Sequence, residues 1–154
     1  MISLFAADGG AGLQMLLQMY GTTKASPAIE GVLALAAAHS MSSAQLGGLI
    51  VQLDKFRSAM LSFMEAYDVI LCPVCAHPAL PHGSSYEVEG LRGYSYSQTF
   101  NLTGWPAAVV RGGVSNEGLP LGVQIVARPW REDVALRVAQ YLEEALGGWS
   151  APLL

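Results

Sequence analysis

The spacing of apolar side chains predicts a mainly helical region over residues 1–66 and a region with strands over residues 67–154. Apolar residues recur at steps of three and four from Leu46 to Tyr67, which predicts an amphipathic helix of about 25 residues. Ser42 and Gln45 have the spacing of a capping box, so the helix is expected to begin there. A stripe of this kind is more often packed in a core than used for function.

Two shorter helices are predicted before this one. Asp8 could cap a helix over residues 13–20, and Gly21 would end it. Another helix is expected to begin at Ser26 and Pro27, because proline suits the first helical position.

The second half of the chain predicts three strands and two helices. A continuous apolar run ended by Pro73 indicates a buried strand, and two later runs flank a turn at residues 116–118, which favours an antiparallel hairpin. The predicted elements are strands at 68–72, 107–111 and 121–127, a short helix at 94–102, and a final helix with an apolar face of Val134, Ala135, Val138, Leu142 and Leu146. These elements define an α/β fold.

The composition indicates that one face of this fold is meant to be covered by further protein. Apolar residues make up 52% of the chain and charged residues only 13%, against roughly 25% charged in typical globular chains. Three strands cannot easily bury both of their faces against these helices alone. We therefore expect a poorly covered edge or face at Ile70, Val109, Val123 and Ile125, and self-association of the isolated chain.

The charge pattern and apolar runs exclude several classes of partner. The net charge is −4, and no Lys/Arg cluster is present, which argues against nucleic-acid binding. No apolar run reaches the ~20 residues of a membrane span, and residues 1–5 carry no basic segment of the kind that opens a signal peptide. The expected location is the cytoplasm.

Cys72 and Cys75 form a C-x-x-C pair that raises the alternative of a redox or zinc protein. A thioredoxin-like site needs a helix at this point, which the prolines after Cys75 forbid. His77 and His82 would complete a Cys2His2 set, but structural zinc fingers separate their pairs by about 12 or more residues. We therefore expect two small thiols in the core or in a loop, no bound metal and no cofactor.

A serine–lysine active site is not expected from the residues present. Ser84 and Ser85 are adjacent, but acidic and bulky residues follow them rather than glycines. The base of such a site needs a buried amine, and neither Lys24 nor Lys55 has an apolar setting. No catalytic residue is therefore assigned.

Several segments together resemble the last third of amidase signature enzymes. They are YDVILCP at 67–73, the proline-rich loop at 78–83, NLTGWPA at 101–107, GLPLGVQIV at 118–126, and PWRED at 129–133 with the helix after it. The resemblance is strong from about residue 67 to 149. It implies an α/β/α domain with a large mixed sheet, of which this chain would be the C-terminal portion.

The resemblance also implies a reaction, and it implies that the catalytic residues lie in a different part of the protein from this chain. In the family a serine nucleophile, a second serine in a cis peptide and a lysine hydrolyse a carboxamide to a carboxylate and ammonia or an amine. All three residues precede Met1 in the family order, so the chain is expected to be inactive and to meet an amide substrate only together with the missing part. The alternative is a non-catalytic binding or interaction module that retains the amidase sheet.

The resemblance assigns part of the substrate pocket to this chain. The helix at 94–101 is the candidate wall, with Tyr94, Gln98 and Thr99 facing the substrate. In the glutamine-using amidotransferase branch an acidic residue lies near the position of Tyr94. An aromatic residue there, with Arg92 nearby, instead favours an apolar or aryl amide.

Overall fold

The computed structural model describes residues 2–84 and 92–151 and has the predicted α/β architecture. The contacts divide the chain into two compact units, Met1–Phe56 and Arg57–Leu154. The elements in order are α1 Ile2–Phe5, α2 Ala11–Met19, α3 Pro27–Ala37, α4 Ser43–Phe63, a 3-10 turn at Met64–Ala66, β1 Val69–Pro73, α5 Ser95–Thr103, β2 Ala107–Val114, β3 Pro120–Ala127 and α6 Glu132–Ala145. None of the helices in the described ranges is long and apolar enough to cross a bilayer.

Local hydrogen bonds fix the starts of α2 and α3; α3 begins at Pro27 as predicted, whereas α2 begins at Ala11, two residues before the predicted start. The Asp8 carboxylate accepts hydrogen bonds of 2.8 Å from the backbone N–H groups of Gly10 and Gly12, ahead of and inside the first turn of α2. These bonds lower the pKa of Asp8. Ser26 caps α3 through a 3.4 Å bond from the N–H of Ile29 to its hydroxyl, and Pro27 is the first helical residue.

The capping box at the start of α4 is formed as predicted. The N–H of Ser42 donates to the Gln45 side-chain oxygen at 2.8 Å, and the N–H of Gln45 donates to the Ser42 hydroxyl at 3.3 Å. The α-helix is shorter than predicted, because its last turn tightens into the 3-10 turn. Much of the predicted apolar stripe is exposed in this structure, including Ile50 and Phe56, while Met64 is fully buried.

The three strands form an antiparallel sheet in the order β1-β3-β2. The predicted hairpin is confirmed, with Val110 opposite Val123 and Ala107 opposite Val126. β2 runs further than predicted because a bulge between Arg111 and Gly113 lets the strand continue to Val114.

The core of the second unit joins the end of α4, the helix α5 and the sheet. Met64, Phe100, Trp105 and Val126 are buried together, and Met60, Ile70 and Cys72 pack against them. Ile125, which the sequence predicts to be poorly covered, is instead fully buried, so that expectation is wrong for this residue. It is right for Val109, which is 54% exposed.

The helix α6 presents the predicted face to the rest of its unit. Ala135 and Ala139 are buried, and Val134, Val138 and Leu142 are half-buried beside them. The prediction is wrong for Leu146, which lies past the end of the helix and is 43% exposed.

Candidate functional site

An open groove of about 800 Å³ lies at one end of the sheet. Its walls are residues 71–79, from β1 and the loop after it, together with Val109, residues 112–113 and residues 120–123 from the hairpin. Most of these side chains are aliphatic or small, so the groove suits an apolar group.

Glycines shape the floor of this groove by allowing close approach. A Cβ atom on Gly122 would lie 3.0 Å from the Val74 side chain and 3.1 Å from that of Val109. A Cβ atom on Gly112 would clash with the side chain of Val123, so no other residue fits at position 112 without a shift of its neighbours. Gly112 and Gly122 are therefore required by the packing around the groove, whereas a Cβ atom on Gly113 would meet no atom within 4 Å.

The loop after β1 meets the start of α5 beside the groove. The N–H of Ala76 donates to the carbonyl of Gly93 at 3.0 Å. The His77 ring lies against Gly93, at a site that a Cβ atom would occupy, and it meets the ring of Tyr94 edge-on at 5.8 Å between centroids. The sulfur of Cys75 is 3.4 Å from Nε2 of His77.

The candidate wall residues occupy the first two turns of α5. Tyr94 is the N-cap residue, and its carbonyl accepts hydrogen bonds from the N–H groups of Ser97 and Gln98. Tyr94, Gln98 and Thr99 are all half-buried. Tyr94 contacts His77, which lines the groove, but among the described residues the lining itself includes none of Tyr94, Gln98 and Thr99. Their contact with a substrate stays a prediction.

The far end of α5 is fixed by a residue that the sequence reasoning missed. The guanidinium of Arg57 donates to the carbonyl of Leu102 from Nε at 3.2 Å and from a terminal nitrogen at 2.8 Å. A cation at this place satisfies a carbonyl in the last turn and complements the helix dipole. Gly104, with φ 72°, then ends the helix and donates to the Phe100 carbonyl at 2.8 Å.

A buried amide also lies beneath the groove. Gln124 of β3 is buried, and its Nε2 donates to the sulfur of Cys72 at 3.3 Å across the strand pair. The two cysteines therefore differ in their partners, although both are unbridged and half-buried. Across the described ranges, 2–84 and 92–151, no three candidate ligands come together to hold a metal ion.

The residues weighed for a serine–lysine site are not arranged as one. The Ser84 hydroxyl donates to the carbonyl of Pro81 at 2.9 Å, and both Lys24 and Lys55 are exposed. Ser85 lies outside the described residues.

The pKa of Asp133 is lowered, mainly by its hydrogen bond from Arg131. This exposed pair lies at the start of α6 and does not line the groove.

The fold and this sequence place the chain in a known family. The amidase family model matches residues 11–136, and the chain belongs to that family. This confirms the resemblance drawn from the segments between residues 67 and 133.

Individual relatives agree with this assignment. The chain is 30% identical over 149 residues to fatty-acid amide hydrolase 2-B of Danio rerio, an alignment that covers 95% of this chain and 28% of that protein. It is 31% identical over 99 residues to fatty-acid amide hydrolase 2 of Homo sapiens, covering 64% of this chain and 18% of that protein. The chain thus spans less than a third of the length of these two relatives.

Solved structures agree on the fold. A bacterial aryl acylamidase of the amidase signature family superposes with a TM-score of 0.72 at 20% identity, covering 99% of this chain and 35% of that one. An identity of 20% establishes the shared fold but does not determine the substrate.

Proposed function

We propose that this chain is the C-terminal segment of an amidase that hydrolyses a carboxamide to a carboxylate and ammonia or an amine. The observation that carries the proposal is the match to the amidase family over residues 11–136, together with a groove at the end of the sheet in the part that matches. The nucleophilic serine, the second serine and the lysine would come from sequence outside this chain.

The described residues support a role in binding rather than in chemistry. A Ser–Lys mechanism needs an amine that is desolvated beside the nucleophile, and Lys24 and Lys55 are both exposed. The groove, in contrast, offers aliphatic walls and close backbone approach, which are the means by which a protein positions an apolar group.

The proposed substrate class is an apolar or aryl amide. Tyr94 contributes an aromatic ring beside the groove, and the groove lining includes Leu71, Val74 and Val123. One relative, the fatty-acid amide hydrolase 2-B of Danio rerio, is named for an apolar amide substrate. Tyr94, Gln98 and Thr99 would form the wall against which that apolar part packs.

The first test is hydrolysis of a panel of aryl and alkyl amides by the pure chain. We expect no turnover. Ser84→Ala and Ser85→Ala serve as controls, since activity that is lost in either variant would show that the chain carries its own nucleophile.

The second test concerns the wall and uses the chain joined to the sequence encoded upstream of Met1. Tyr94→Leu should raise KM for an aryl amide, whereas Tyr96→Leu, at an exposed position of the same helix, should change it little. Equal effects of the two substitutions would remove Tyr94 from the pocket. If the joined protein still lacks turnover, the non-catalytic binding module becomes the better description.

A further inference from the structure

One edge of the three-stranded sheet has no neighbour in the part of the chain that the structure describes. The strand order β1-β3-β2 leaves β1 at one edge and β2 at the other. Apart from the ladder with β3, no described residue forms a backbone hydrogen bond with β1. An unpaired edge can pair with a strand of another chain, and proteins usually protect such edges with bulges, charges or prolines.

The hydrogen bonds of β3 determine which backbone groups of β1 point away from the sheet. The N–H of Ala127 donates to the carbonyl of Pro106 at 3.1 Å, so the backbone polar groups of Ala127 point toward β2. Val69 lies opposite Ala127 on the other side of β3 and is therefore not bonded to it. Because bonded and non-bonded residues alternate along an antiparallel pair, the N–H and C=O groups of Val69 and Leu71 point outward, together with the carbonyl of Pro73.

The opposite edge of the sheet, formed by β2, is protected. A bulge between Arg111 and Gly113 interrupts its register, which bends the strand and disfavours pairing with another chain. The guanidinium of Arg111 also donates to the hydroxyl of Ser150 at 2.6 Å, which ties the segment after α6 to this strand. A second chain is therefore not expected to pair with β2.

The β1 edge lacks these features. Its register with β3 is continuous from Val69 to Pro73, and none of its residues is charged. Leu71, at the centre of the strand, is 52% exposed. Pro73 lacks an N–H group, but it lies at the end of the strand, so Val69 and Leu71 keep both a donor and an acceptor for a new partner.

We propose that β1 is a dimerisation edge and that its partner is β1 of a second copy of this chain. The two strands run antiparallel about a two-fold axis that passes beside Leu71. The two Leu71 residues exchange both of their backbone hydrogen bonds, and the N–H of each Val69 donates to the Pro73 carbonyl of the other copy. This register uses every outward N–H group of residues 69–73 and joins the two sheets into one.

The charge beside β1 is compatible with this register. Asp68 precedes the strand and lies opposite Val74 of the other copy. The two Asp68 residues are then about 20 Å apart along the strands, which exceeds the screening length of about 8 Å at physiological salt. Dimerisation of this kind does not require the amidase reaction, so it is measured without substrate and independently of the proposed function.

The first test is the dimer Kd from a sedimentation concentration series on the chain, Leu71→Lys and Val109→Lys. The two replaced side chains are matched in exposure, at 52% and 54%, but lie on opposite edge strands. Leu71→Lys places two lysines opposite each other across the axis and should raise the Kd about tenfold or more. Val109→Lys should leave it unchanged. A chain that stays monomeric, or a Kd that the two substitutions raise equally, would overturn the proposal.

The second test is cross-linking, which checks the register and does not depend on the lysine variants being folded. In a Cys72→Ala, Cys75→Ala background, Leu71→Cys should form a covalent dimer on oxidation, because the Cα atoms of a bonded pair are about 5.5 Å apart. Val69→Cys is the control on the same face of the same strand. Its two copies are about 14 Å apart in this register and should not cross-link. Equal or absent cross-linking at the two positions, or cross-linking at position 69 alone, would also overturn the proposal.

Discussion

Met64 is the side chain whose truncation best tests the described core. It is fully buried, and its neighbours Phe100, Trp105 and Val126 come from α5, from the segment after it and from β3. Met→Ala substitutions at such sites cost about 2–5 kcal/mol, through lost burial and the cavity left behind. Aromatic neighbours relax poorly into a cavity, so we expect about 3 kcal/mol, or a fall in Tm of roughly 6–12 °C for a chain of this size.

The matched control is Leu61→Ala in the same helical segment. Leu61 is 43% exposed, so its truncation should cost about 1 kcal/mol. Urea unfolding of both variants, followed by the fluorescence of Trp105, measures the two losses. Trp105 is 6% exposed, whereas Trp130 and Trp149 are 87% and 78% exposed, so the change on unfolding comes mainly from the core. Equal losses in the two variants would show that this packing is absent in solution.

Three further predictions address the caps, the groove and association. The helical signal of the chain should fall as the pH drops below the ordinary aspartate value of 3.8, because a lowered folded-state pKa stabilises α2 only while Asp8 is ionised. Asp8→Asn should reduce that dependence and leave the part that comes from Asp133, whose pKa is also lowered, in the first turn of α6; an acid profile identical to that of the unsubstituted chain would contradict the prediction. Gly122→Ala should lower the Tm, because the new Cβ atom would crowd the side chains of Val74 and Val109. Gly113→Ala is the control and should not lower it, because a Cβ atom at position 113 would meet no atom within 4 Å. Similar Tm values for the two variants would contradict the described groove. The isolated chain should self-associate because many of its large apolar side chains are exposed, so its sedimentation coefficient should rise with concentration. A chain that stays monomeric, melts cooperatively and binds no hydrophobic dye would contradict this.

The elements that the sequence predicts well are those with local causes. The capping box at Ser42 and Gln45 and the stop at Gly104 each depend on residues within about one helical turn. The hairpin follows in the same way from two apolar runs around a turn, where a hydroxyl–carboxylate bond joins Ser115 and Glu117 at 2.8 Å. Such signals can be seen in a short window because the interacting groups are neighbours in the chain.

The features that the sequence does not predict depend on distant contacts. The burial of Ile125 requires knowing that elements far along the chain cover its face of the sheet. The packing of Cys75 and His77 against Gly93, which lies sixteen positions after His77, is likewise set by a contact between distant parts of the chain. Arg57 lies at a position that continues the half-buried face of α4, and its partner Leu102 is 45 positions away. Nothing in a helical periodicity indicates that this position should carry an arginine.

The attachment of α5 explains how a segment without catalytic residues could still shape a substrate pocket. Its C-terminal end is held by the Arg57 guanidinium, its middle by Phe100 in the core, and its N-terminal end by the hydrogen bond between Gly93 and Ala76. Three attachments at different points leave a short helix little freedom to rotate or slide. All of them come from Arg57–Leu154, so the position of Tyr94 beside the groove is determined within this unit. This supports the proposal that the chain carries recognition of the amide's apolar part, while the reacting groups would come from elsewhere.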